Sequence, residues 1–128
     1  MEKVTGIGGV FFKCQEPEKL AGWYRDCLGV NISFQHGAVF SWPEGQSPER
    51  PGSTTLGFFS LGSDYMSPSR SPFMLNFRVR DLDAMLEQLR SVGTRVMEDI
   101  EESDFGRFGW VLDPEGNKIE LWEPPEGM

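Results

Sequence analysis

The most constraining feature of this sequence is that its pattern occurs twice. Gly29 and Gly93 each close a stretch of apolar residues at helical spacing, and they lie 64 positions apart in a chain of 128 residues. In the first half, Val10 to Cys14 is an apolar run expected as a strand. Pro17 then opens a helix whose stripe is Leu20, Trp23, Tyr24, Cys27 and Leu28, with Gly29 as its C-terminal cap. Val30 to Phe34, Ala38 to Trp42 and Thr54 to Leu61 are expected as three further strands, with the Pro/Gly-rich 43–53 as a loop. In the second half, Phe73 to Arg80 is a strand and Asp81 an N-cap. Leu82, Met85, Leu86, Leu89 and Val92 form the helical stripe, and Gly93 the cap. Thr94 to Met97 is a strand, Glu98 to Asp104 an acidic loop, and Arg107 to Leu112 with Lys118 to Trp122 a hairpin around Asp113 to Asn117. Each half is therefore βαβββ. One such unit leaves a sheet face bare, so two must cover each other or another chain.

The expected class is α+β: one domain over 1–128, built from modules at about 1–62 and 73–128, with a polar connection over 62–72. A chain of this length buries about two-thirds of its unfolded surface, enough for a real core. Net charge −8 argues against nucleic acid as a partner. No apolar run reaches membrane-spanning length. Residues 1–6 lack the apolar stretch of a secretory signal, and two cysteines do not make a disulfide framework, so the expected location is cytoplasmic. A single histidine excludes a metal site that needs two from one chain.

The two-module pattern resembles the vicinal oxygen chelate superfamily, which includes glyoxalase I, bleomycin-resistance proteins and extradiol dioxygenases. The residues that carry it are Gly6 to Phe12, Leu20 to Tyr24 and Leu28-Gly29 in the first half. In the second they are Phe77 to Asp83 and Gly109 to Trp122. The resemblance implies two βαβββ modules curled into a mixed-sheet cup, a homodimer, and a divalent metal in the cup that chelates neighbouring substrate oxygens. The family's four ligand positions map onto Gly9, a position within Thr55 to Phe59, Met74 and Glu120. Only Glu120 carries a metal-ligating side chain. The family's site is therefore expected to be missing, with no cofactor.

Strand alternation then predicts what lines the cup. Phe11 and Lys13 face inward from the first strand, Met74, Asn76 and Arg78 from the strand that opens the second module, and Lys118, Glu120 and Trp122 from the last. Trp42 and Trp110 sit on inner strands and are further lining candidates. The set reads as a small-molecule pocket, apolar with a few polar groups. Glu120 is the candidate catalytic residue, as general acid or base with a raised pKa. The alternative is an ion pair with Arg78 or Lys13, which could themselves bind an anion. His36, in Phe34-Gln35-His36-Gly37, is expected as a solvated turn residue. Cys14, Cys27, Trp23 and Tyr24 are expected in the core, and the acidic run as a solvated face. Gly6, Gly8 and Gly9 precede the first strand and form no phosphate loop. The favoured function is ligand binding in a metal-free cup, by sequestration or chemistry at Glu120. One alternative is a metal-dependent lyase, isomerase or dioxygenase with relocated ligands such as His36 or Asp64. Another is an interaction domain whose cup is filled by its own side chains.

Overall fold

The computed structural model describes residues 1–42 and 52–126; most of the expected 43–53 loop lies outside them. One open mixed sheet organises the chain. β1 (Val4–Cys14) runs parallel to β3 (Ser53–Ser60) on one side and antiparallel to β4 (Phe73–Val79) on the other. β2 (Ala38–Ser41) flanks β3. Beyond β4 come β8 (Lys118–Glu123), β7 (Gly106–Leu112) and β5 (Arg95–Val96), with β6 (Glu101–Ser103) also pairing to β7. The β1–β4 junction is the seam between the modules. Each module places its last strand parallel beside its first, β3 beside β1 and β8 beside β4.

Both helices cover one face. α1 (Pro17–Leu28) ends at Gly29, whose φ of 70° is a left-handed conformation that glycine adopts without a Cβ penalty. α2 (Leu82–Ser91) starts at Asp81, whose Oδ1 accepts from the Ala84 N–H at 3.0 Å. The Glu123 carboxylate accepts from the Leu82 N–H at 2.8 Å, tying the same helix end to β8. Leu82, Met85 and Leu86 pack on Val79, Val111 and Leu121. Ala21 packs with Ile32, Ala38 and Phe58, joined by Phe12, Leu20 and Tyr24. The β7–β8 turn closes as its sequence predicts: Asp113 Oδ1 accepts from the N–H groups of Glu115 and Asn117, both at 2.9 Å.

Several expectations fail locally. Val30 to Phe34 is not a strand. Ile32 is buried against α1, but among the described residues the segment's one β-bridge is Ser33 to Gly37. The α1 stripe is narrower than its spacing implies. It covers only a three-stranded half-sheet, so Leu20, Ala21 and Tyr24 suffice, while Trp23 and Leu28 are more than half exposed and Cys27 is also exposed. The acidic segment contains a strand, β6, because Glu101 to Ser103 pair with Gly106 to Phe108. β1 begins at Val4, so Gly6, Gly8 and Gly9 lie inside it, with register irregularities before Gly6 and Gly9.

Candidate functional site

The face away from the helices divides into a filled half and an open half. Met66 and Met74 are fully buried beside Trp110, with Phe11, Phe59 and Tyr65 packed around them. Met66 and Tyr65 come from the segment joining the modules. The Tyr65 ring stacks on Phe59 at 5.3 Å and meets Trp110 edge-on at 6.3 Å. Lys118 holds this segment down, its Nζ donating to the Tyr65 carbonyl at 2.7 Å. Burial depresses the Lys118 pKa, with Glu120 and Asp64 opposing.

The open half is a cavity of about 320 Å³. Its apolar wall is Phe11, Val39, Phe105, Phe108 and Trp122, and its polar groups include Ser53, Thr55, Asn76 and Glu120. The β6–β7 hairpin tip is drawn over it by the Trp122 indole N–H, which donates to the Phe105 carbonyl at 2.6 Å. Phe108 stacks on Trp122, parallel within 6°.

Glu120 is 4 % exposed and borders this cavity. Burial pushes its pKa from the usual 4.5 to about 7, against hydrogen bonds from Tyr65 and Asn76 that pull it down. Glu101 adds repulsion, and Lys118 a weaker attraction. The Tyr65 hydroxyl stands 3.4 Å from both carboxylate oxygens. Its own pKa is pushed well above the normal phenol value, first by burial and then by the Glu120 charge, so it stays a donor. Asn76 faces Glu120 across the β4–β8 register, and its Oδ1 is buried with no hydrogen-bond partner. The partners of Glu120 are thus Tyr65 and Asn76, not Arg78 or Lys13.

The structure brings Phe11, Asn76, Glu120 and Trp122 together at the cavity. It directs the other candidates elsewhere. Arg78 is buried with its guanidinium 5.4 Å from the Trp42 ring centre and 4.9 Å from that of Trp122. Trp42 donates from its indole N–H to Thr54 Oγ1 at 2.9 Å, outside the cavity lining. Met74 and Trp110 belong to the filled half. Lys118 faces a separate groove with Asp64, Asp99 and Glu101. Lys13 lies further along β1, opposite Phe59, and does not line the cavity. Sequence reasoning missed Tyr65, whose signal was one large pair, Tyr65-Met66, inside an otherwise polar connection. It also set aside His36, which is exposed yet sits on the cavity rim.

A model of the glyoxalase-like domain matches residues 9–122. The chain belongs to the glyoxalase-like domain family. A comparison with curated proteins finds no match. Among solved structures, a methylmalonyl-CoA epimerase from Mycobacterium tuberculosis is 26% identical (TM-score 0.59), the match covering 95% of this chain and 89% of that one. The Streptomyces coelicolor epimerase in complex with 2-nitronate-propionyl-CoA is 18% identical (TM-score 0.66), covering 93% and 96%. An NAD-dependent benzaldehyde dehydrogenase from Legionella pneumophila is 19% identical (TM-score 0.58), covering 89% and 96%. The likenesses below 25% identity establish a shared fold.

The register picks out which residue stands at the family's remaining ligand position, which spacing left within Thr55 to Phe59. Phe11 lies two residues after Gly9 and pairs with Gly57, just as Asn76 lies two after Met74 and pairs with Glu120. Gly57 is therefore the counterpart of Glu120. The Phe11 ring lies across both glycines: a Cβ at Gly9 would meet Phe11 Cζ at 2.6 Å, and one at Gly57 would meet Cδ1 at 2.9 Å. The four positions thus hold two glycines under a phenyl ring, a buried thioether and one carboxylate. That set does not fit a divalent metal ion. Among the described residues, no three His, Cys, Asp or Glu side chains converge as ligands, and Asp64 and His36 flank different hollows.

Proposed function

We propose that this chain binds a small organic molecule in the cavity above Glu120 and does so without a divalent metal. One observation carries the reading: a single carboxyl, buried and held near pKa 7, borders an otherwise largely apolar cavity of ligand size. Near neutrality both of its protonation states are populated. Glu120 can therefore take a proton from a weakly acidic group of the ligand or return one, with the Tyr65 phenol steadying the anion. Phe11, standing where two family ligands would stand, supplies apolar contact in place of metal coordination. The ligand is compact, in keeping with a largely apolar cavity of about 320 Å³.

The test is a ligand screen by protein-observed NMR on protein treated with chelator, beside the untreated protein and Val39→Trp. Val39 is exposed at the cavity mouth, so the larger ring should block entry without disturbing the core. The expected result is identical binding with and without chelator and its loss in V39W. Binding that disappears with the chelator and returns with a stoichiometric divalent ion would overturn the proposal.

A further inference from the structure

We propose that the ligand of this cup is a small organic cation, an amine on an aromatic or apolar body, with its charge against Glu120 and Asn76. The inference rests on the reading of the cavity as a small-molecule site and names the class of molecule that fits it.

Among the described residues the lining brings the Glu120 carboxylate and the Asn76 amide, beside the Ser53 and Thr55 hydroxyls, and no lysine or arginine. Glu120 presents a carboxylate, and Asn76 Oδ1, in a side chain 3 % exposed, is left without a partner beside Gly8 on the same wall. A buried acceptor without a donor is costly, and a group with several N–H donors satisfies both. An ammonium has three. A carboxylate ligand has none and would meet the Glu120 charge in a poorly solvated space.

Among the described residues, the basic side chains of this sheet face make their direct contacts elsewhere, and Lys118 acts on Glu120 only as a weak charge. Arg78 lies against two tryptophans, Lys118 reaches the Tyr65 carbonyl, and Lys13 lies beyond the lining. The other titratable groups acting on the site are Glu101, which adds negative charge at Glu120, Tyr65, held as a neutral donor, and His36 at the exposed rim. Phe11, Phe105, Phe108 and Trp122 supply ring surface of the sort that attracts cations as well as apolar bodies. The net charge of −8 draws cations toward the protein before contact.

Three probes sharing one body test this: 2-phenylethylamine, 2-phenylethanol and phenylacetate, titrated at pH 8 and followed through the side-chain signals of Asn76 and Trp122. The amine should bind at least about tenfold more tightly than phenylacetate, as expected for a charge-assisted contact. In Glu120→Gln its affinity should fall about tenfold, while that of 2-phenylethanol changes by no more than about threefold. Phenylacetate binding as tightly as the amine, or amine binding indifferent to E120Q, would overturn the cation assignment. If 2-phenylethanol still binds in that case, the cavity reading survives it. If none of the three probes shifts the cavity signals, both fail.

Discussion

Replacing Glu120 by Gln should stabilise this protein, and by an amount that depends on pH. The carboxyl has a folded pKa of about 7 against a usual 4.5. A raised carboxyl pKa means that between these values the native state binds more protons than the unfolded chain. Stability then falls as pH rises through that window, with the full contribution present below about 4.5 and lost above about 7. At about 1.4 kcal/mol for each pKa unit, the loss is about 3 kcal/mol. The glutamine of the E120Q variant mimics the protonated acid: its oxygen can accept from Tyr65, and its amide can supply the donor that Asn76 Oδ1 lacks. The two proteins should match near pH 4.5, and E120Q should be more stable by about 3 kcal/mol at pH 8. For a chain of this length that is about 10 °C in Tm. The assay is urea denaturation of both proteins from pH 4.5 to 8.5, read as the difference between them so that other titrations cancel. A difference that stays flat across this range, or an E120Q that is less stable at pH 8, would refute the burial argument for Glu120.

Three other outcomes follow from the same contacts. Tyr65→Phe removes a donor to Glu120, so the carboxyl pKa should rise further; the variant should lose about 1 kcal/mol at pH 8 and less at pH 5, again by denaturation. Gly57→Ala should cost about 1–3 kcal/mol through its clash with Phe11, and most of that should vanish in a Phe11→Leu background, a coupling that a double-mutant cycle measures. Cys27, exposed on α1, should react with a maleimide in the native protein well before Cys14, which is half-buried with its pKa raised by desolvation; equal rates would count against the packing of α1.

Much of the fold was legible because its punctuation is local. Gly29, Asp81 and the Asp113 to Asn117 turn act through their own backbone hydrogen bonds, so their sequences suffice. Alternation correctly placed Phe11, Asn76, Glu120 and Trp122 on the cavity face, since side-chain direction in a strand is also local. What alternation cannot supply is how far a long side chain travels. Arg78 and Lys118 leave the correct face but bend to Trp42, Trp122 and the Tyr65 carbonyl. The glycines at the start of β1 have low strand propensity, yet the rings of Trp42, Trp122 and Phe11 come so close to that stretch that a Cβ would clash, a long-range reason for Gly. Val30 to Phe34 had a strand composition, but only Ile32 of that segment is buried, and no strand among the described residues pairs along it. Tyr65 was invisible for a related reason. A connection has no period to interpret, and its role comes from the cup it crosses.

The most direct test of the cup is a crystal structure of the protein grown with 2-phenylethylamine, with anomalous data collected for transition metals. The amine nitrogen should lie within hydrogen-bonding distance of Glu120, its ring against Phe11 and Phe108, with no anomalous peak beside the carboxylate. A metal ion held by Glu120, or a cavity closed by the protein's own side chains, would contradict a metal-free amine site.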